Sequence, residues 1–503
     1  MMKSAASGFL ALSAAKLAFM LSGYAIYFFL PRILNDPAAF GQFGVALGYL
    51  NVFNMTVIVG TIQAVSRFVS SGEYSESSIR RTALSFQFGF GWILCAAIIL
   101  TAPWIAGVLK DPGLVRLIRI GALLPCVYAL YGVVMGELNG RKLFARQSAL
   151  DVSFALLKTI LVLAFAFFGD GVPGAFLGYL LASLVIIIIG FLVLLRVPAR
   201  AIGSMFSCRI LINFQCATML ITLFNNLLLN LDLFAVKALM PAECSGEAAG
   251  FYTAAQTFSR IPYICVVAIG LVAFPLISSS RMERDPRKTT VRAERILRVT
   301  LLYSCLIATG IAALAPELLQ LVYPKAYMEG RHVLRILPIG EVFYSMMFIS
   351  FILLTGSGLP TRPIRTAVLT IGLEVFGLAV LVPVYGIEGA AIGAGVFWLI
   401  GMVMAFRDLR RSGFTLLRSS TWINTCMAGA SVYAVGYFLP LTGFLKLAVA
   451  VPLMVMVYSL VLIIRREIAW RHLFGIRAML HSGSDLPERC YEVSTDGEGG
   501  YSG

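Results

Sequence analysis

Three basic residues stand inside stretches of chain that are otherwise apolar: Lys16, Lys158 and Arg260. An ionisable group at membrane depth costs about 2.5–3.5 kcal/mol on insertion scales, so such residues mark substrate pathways by default. Helix rise puts Lys16 about 12 Å and Arg260 about 15 Å into their spans, with Lys158 near the middle of its own. A point-charge ammonium and a forked guanidinium both suit phosphate. The three residues therefore form the candidate substrate-binding set of a cationic cavity. The competing reading of Lys158 is a pair with Asp151, about two turns back on the same face, or a side chain that snorkels.

Polar residues accompany these charges at helical spacing. Tyr252, Gln256, Arg260 and Tyr263 share one face, and Asn225 and Asn226 stand on the preceding span. Asn225, Asn226, Gln256 and Tyr263 could bind hydroxyl groups; the alternative is hydrogen bonding between helices. Asp232 lies near the end of its span, where pairing with Lys237 or Arg260 competes with ion binding. Glu341 and Glu374 each fall near the middle of a span and are candidates for proton or sodium coupling, because a carboxylate out of water readily exchanges a cation. A salt bridge is the competing reading, with Arg335 the nearest cation to Glu341. Arg331, His332 and Arg335 cluster at one end of their span as candidate gating or interface residues.

The elements that carry these residues are membrane helices. Of 503 residues, 59% are hydrophobic and 13% charged, and mean hydropathy is +0.87. A soluble domain carries about 25% charged residues, so the chain reads as an all-α integral membrane protein. About fourteen spans follow, from Gly8–Leu30 to Phe444–Ile464, each long enough for a core of about 30 Å. The seventh is Leu211–Ala238 and the eighth Gly250–Ile277. Lys16 interrupts the first apolar run, which continues to Leu30, so it reads as an uncleaved helix. Nine scattered cysteines without a CxxC pair and three distant histidines indicate neither a disulfide framework nor a metal site, and no cofactor is expected.

Charge sets orientation. Alternate loops are basic: Arg80/Arg81, Arg141/Lys142/Arg146, Arg196/Arg200/Arg209, Arg281/Arg284/Arg287/Lys288, Arg362/Arg365 and Arg407/Arg410/Arg411/Arg418. The others carry Asp36, Asp170, Glu243/Glu247 and Glu388. Both termini then face the cytoplasm. The net charge of +15 is accounted for by topology and headgroup contact with membrane lipids, and nucleic acid is not an expected partner.

Two glycine motifs recur. Gly41-Gln-Phe-Gly-Val-Ala46 is matched by Gly250-Phe-Tyr-Thr-Ala-Ala255, and Gly171-Val-Pro-Gly-Ala-Phe-Leu-Gly178 by Gly386-Ile-Glu-Gly-Ala-Ala-Ile-Gly393. Each pair is displaced by six spans, which predicts two parallel six-helix repeats. The expected divisions are residues 1–200, residues 201–412, a last pair of helices within 413–466, and a basic interfacial helix with a disordered tail over 467–503.

Three stretches carry a family likeness: residues 30–73 (LPRIL through VSSGE), residues 230–262 (NLDLFAVKALM through SRIP) and residues 385–401 (YGIEGAAIGAGVFWLIG). In their order and spacing the chain resembles the polysaccharide-transporter branch of the multidrug/oligosaccharidyl-lipid/polysaccharide flippase superfamily, which includes O-antigen and exopolysaccharide repeat-unit flippases. The resemblance implies two six-helix lobes around a central cavity, with helices thirteen and fourteen outside. It implies alternating-access export of an undecaprenyl-diphosphate-linked oligosaccharide across the bacterial cytoplasmic membrane. Coupling to H+ or Na+ and association with a glycan polymerase or chain-length complex would accompany that activity. A lipid II flippase and a multidrug cation antiporter are the alternatives within the superfamily. A membrane polymerase or ligase is disfavoured, because external loops of about a dozen residues carry no nucleophile or phosphate-loop motif.

Overall fold

The computed structural model describes residues 2–197, 204–282, 286–441 and 443–467. The expected interfacial helix and tail lie outside the described residues, apart from Glu467. The helices are α1 (Met2–Leu34), α2 (Pro37–Ser71), α3 (Glu76–Val108), α4 (Gly113–Gly121), α5 (Leu123–Gly140), α6 (Phe144–Phe168) and α7 (Val172–Leu195). They continue as α8 (Cys208–Leu228), α9 (Leu231–Leu239), α10 (Ala242–Ser259), α11 (Ile261–Met282), α12 (Pro286–Ala313), α13 (Ala315–Val322), α14 (Arg331–Gly356), α15 (Thr361–Arg411), α16 (Ser419–Phe438) and α17 (Gly443–Ile464). Among the described residues there is no strand, only an isolated bridge between Tyr74 and Ser204.

Among the described residues, eleven stretches are long and apolar enough to cross a membrane. The difference from about fourteen has physical causes. Helix α15 has 51 residues, about 77 Å at helical rise and enough for two crossings. It turns back at Gly386 (φ 59°), where residues 377–381 pack against 389–397. In α1 the described apolar stretch is the shorter Ala18–Leu34, and α16 carries Thr421, Asn424, Thr425 and Ser431. Two expected spans are also interrupted: the seventh between α8 and α9, the eighth between α10 and α11.

Helix α2 is buried along most of its length. Pro37 occupies its first turn, the Asp36 carboxylate accepts from the Ala38 N–H at 2.8 Å, and Gly72 ends it at φ 70°. It packs on α5 at one side and on α8 and α10 at the other. The recurring glycines explain the second contact. A methyl on Gly41 would collide with the Gly246 carbonyl and the Gly250 nitrogen, and one on Gly250 with the Pro37 carbonyl. The two matched motifs thus cross each other, backbone against backbone. Helices α1, α6 and α7 complete the first half; α11, α12, α14 and α15 pack together in the second, and α16 and α17 lie on α12 and α13.

Ion pairs mark both ends of the bundle. At the basic end, buried Glu137 accepts from Arg80 at 2.8 Å and pairs with Arg141 at 2.8 Å, while Arg365 meets Asp408 at 3.1 Å. At the opposite end, Lys237 of α9 pairs with Asp111, between α3 and α4, at 2.8 Å. The Asp111 carboxylate also accepts from Gln42 Nε2 at 3.0 Å and from the Gly113 N–H at 3.0 Å. Arg32 donates to the Leu321 carbonyl at 2.9 Å. Two contacts here, Lys237 to Asp111 and Arg32 to Leu321, join segments from opposite halves of the chain.

Candidate functional site

The cationic residues of the candidate set occupy two different environments. Lys158 is 7% exposed and lines a cavity of about 170 Å³ within the first half. The cavity walls come from α1 (Phe19, Tyr27), α2 (Phe43, Leu47, Asn51), α5 (Tyr128) and α7 (Tyr179). The Lys158 ammonium stands 4.4 Å from the Phe19 ring centre, 5.6 Å from Tyr179 and 5.9 Å from Phe154. These rings present their electron-rich faces to the cation. Among the described residues no carboxylate pairs with Lys158, so the alternative pairing with Asp151 is not made. The Tyr128 and Tyr179 hydroxyls share a hydrogen bond of 2.6 Å, and the Asn51 Oδ1 is buried without a partner among the described residues. A cation, an amide oxygen and phenols around a small void can hold an anion or a hydroxyl-bearing group. Lys16 lies on α1, and its side chain is outside the described ones.

Arg260 sits where α10 gives way to α11, and its surroundings are backbone. Pro262 lacks the N–H that would continue the ladder. On the facing element, Leu233 N–H bonds to the Asp232 carboxylate at 2.8 Å and leaves the Leu229 carbonyl outside the helical ladder. Arg260 donates to that carbonyl, and Gln256 Nε2 reaches it at 3.2 Å. Arg260 also donates to Asn230 Oδ1 at 3.2 Å. Two interrupted helices therefore face each other, and one guanidinium ties them. Asp232 is fully buried and accepts from Tyr252 at 2.7 Å and from Gln256 at 3.1 Å. It does not meet Lys237, which turns to Asp111 instead.

The remaining polar candidates divide in the same manner. Asn226 donates to the Thr222 carbonyl at 2.8 Å on its own helix, and Asn230, in the break, to the Asn226 carbonyl of α8 at 2.7 Å. Asn225 offers its carbonyl to the Tyr344 hydroxyl at 3.1 Å while its Oδ1 stays buried and unpartnered. Tyr263 packs edge-on against Tyr344, ring centres 5.1 Å apart. Glu341 and Glu374 are both buried; among the described residues, one oxygen of the first and both of the second lack a hydrogen-bond partner. The charge of Arg260 reaches Asp232 and Glu341. Arg335 is not paired with Glu341. Arg331 meets His332 at 3.2 Å on the exposed start of α14.

Cavity and break are neighbours through α2 and α1. Leu47 lines the cavity, and Gly48 lies against Asn230 at the break. Tyr27 lines the cavity within reach of the Arg260 charge.

Comparison with known proteins adds the family. A family model described as polysaccharide biosynthesis protein matches residues 29–330, more than half the chain. The chain belongs to the polysaccharide biosynthesis protein family. The matched segment includes α2, the cavity lining outside α1 with Lys158, the α8–α9 break and Arg260. A curated relative, the probable flippase AglR of Haloferax volcanii, is 24% identical over 295 residues, 57% of this chain and 59% of its own length. The match thus spans less than two thirds of that relative. Among solved structures, the lipid II flippase MurJ in an inward closed conformation superposes with a TM-score of 0.71 at 14% identity, covering 93% of this chain and 99% of MurJ. A MOP superfamily transporter from Pyrococcus furiosus gives 0.60 at 17% identity, covering 80% and 95%. The fold is that of the MOP superfamily transporters, as the matched motifs imply, and the chain is a multi-pass membrane protein.

Proposed function

We propose that the protein is a flippase that moves an undecaprenyl-diphosphate-linked oligosaccharide repeat unit across the bacterial cytoplasmic membrane by alternating access. Its relatives are transporters and flippases, which supports transport over an enzymatic activity on lipid-linked glycans. The observation that carries the proposal is Lys158, a buried ammonium facing a cavity, with no carboxylate among the described residues to neutralise it. A sheltered cation of this kind gains most from an anionic ligand such as a diphosphate. Arg260 supplies field to the same region while holding the helix break, and Lys16 is retained as the third cation. Asn225, Gln256 and the phenols of Tyr128 and Tyr179 suit sugar hydroxyls.

In this proposal residues 1–200 and 201–412 move as two lobes, with α16 and α17 attached to the second. The basic end and both termini face the cytoplasm. The Asp111–Lys237 pair and the Gly41–Gly250 crossing close the opposite end, and must part for the substrate to leave. Glu341 and Glu374, buried with unpartnered oxygens, are the candidates for H+ or Na+ coupling.

Gene deletion tests the proposal. Surface glycan should disappear while lipid-linked repeat units accumulate on the cytoplasmic leaflet, and the wild-type gene should restore export. Unchanged glycan export in the deletion strain would refute it.

A further inference from the structure

A second cavity lies outside the transport path, at the basic end between α6 and α7. It measures about 300 Å³ and is lined by Arg146, Ala149, Leu150 and Ser153 of α6 and by Ile189, Val193 and Arg196 of α7. The lining positions recur at three, four and seven residues, so each helix presents one face to the groove. Small residues at Ala149 and Ser153 open the groove, and Leu150, Ile189 and Val193 make its floor apolar. From Arg146 to Ser153 it runs about 10 Å along the helix axis into the apolar span.

The two arginines differ from their neighbours at the same end. Arg80 and Arg141 are neutralised by Glu137. Arg146 and Arg196 are exposed and have no carboxylate partner among the described residues. The chain that follows, Pro198 to Gly203, contains no acidic residue. Helix α6 begins beside Arg146 without a side-chain cap, so the N–H groups of its first turn add positive potential. Arg80 donates to the Val197 carbonyl at 3.3 Å and fixes the end of α7 that carries Arg196.

We propose that this groove is a binding site for one anionic membrane phospholipid, its phosphate held between Arg146 and Arg196 and an acyl chain lying over Leu150, Ile189 and Val193. Two forked guanidinium groups match a phosphodiester, and an apolar trough beneath them matches a chain end-on to the headgroup. A zwitterionic lipid brings its own cation to the same place and is repelled by the arginines.

Native mass spectrometry of the full chain in detergent, with phosphatidylglycerol or phosphatidylcholine added, tests the site. Wild type should retain one phosphatidylglycerol at least tenfold more strongly than phosphatidylcholine. The Arg146→Gln/Arg196→Gln variant should lose that preference. Ala149→Leu, which fills the trough and keeps both charges, should weaken retention as well. Arg209→Gln, an exposed arginine of the same end outside the groove, should bind as wild type does. Equal retention of both lipids by wild type, undiminished retention by the double variant, or an equal loss in Arg209→Gln would each overturn the proposal.

Discussion

Lys158 and Arg260 look alike in the sequence, each a lone cation in an apolar span, yet their surroundings are opposite. Lys158 belongs to unbroken α6 and faces aromatic rings and a void. Arg260 stands at a helix junction and spends its donors on Leu229 and Asn230. Acidic residues are distributed inversely. Asp232, Glu341 and Glu374 are buried in the second half, where Arg260 also lies, whereas among the described residues no carboxylate pairs with Lys158. One cation is therefore committed to the fold and the other is free to meet a ligand. A charge at membrane depth marks a place of consequence, but its hydrogen-bond partners decide whether the consequence is architecture or recognition.

Substitution at these places should separate the two roles, and the largest effect belongs to Arg260. Arg260→Ala releases the Leu229 carbonyl and removes the cation beside Asp232 and Glu341. A loss of about 3–5 kcal/mol is expected, as for the breaking of other buried charge contacts. Thermal unfolding in detergent should reveal it, and Arg260→Lys should recover less than half, because an ammonium cannot span both acceptors. Wild-type stability in Arg260→Ala would erase the distinction from Lys158.

Next comes the pair that joins the halves. Asp111→Ala strands Lys237 at 4% side-chain exposure and should cost about 2–3 kcal/mol. The exchange Asp111→Lys/Lys237→Asp should restore part of that loss in the same unfolding assay. An exchange no better than the single variant would mean that the two residues act separately.

The glycine hairpins predict a smaller and matched pair of effects. Gly171 and Gly386 open them with φ of 63° and 59°, and in each the glycine three positions later sits against a carbonyl of the partner helix, Phe165 or Leu381. Gly171→Ala and Gly386→Ala should each cost about 1–2 kcal/mol, the strain of a side chain at positive φ and negative ψ, a backbone region populated by glycine. Unequal losses would show that the two hairpins, although matched in sequence and backbone, carry different loads.

Much of this arrangement was legible in the sequence. Apolar runs, alternating basic loops and paired glycine motifs point to the transporter fold, because bilayer thickness and close helix packing restrict residue choice over many positions. Lys158 and Arg260 stood out for the same reason. Their difference did not. Tyr128 and Tyr179 carry no signal in the sequence, since an aromatic in an apolar helix has the same spacing whether it lines a void or a core. The break after Leu228 lacks proline and glycine; it depends on Asp232 capturing the Leu233 N–H, a local competition that residue type does not reveal. Lys237 was matched with nearby Asp232, whereas its partner Asp111 comes from the other half of the chain. Glu137 carries a local signal, lying four residues before its partner Arg141.

The central claim rests on Lys158, and one comparison addresses it: Lys158→Met, measured for surface-glycan export and for thermal unfolding. Methionine keeps the length of the side chain and removes the charge. Lost cation–ring attraction and relieved burial of the charge oppose each other, so stability should change by less than about 1 kcal/mol. Export should fall at least tenfold at equal protein level. Normal export by a stably folded Lys158→Met protein would contradict the account.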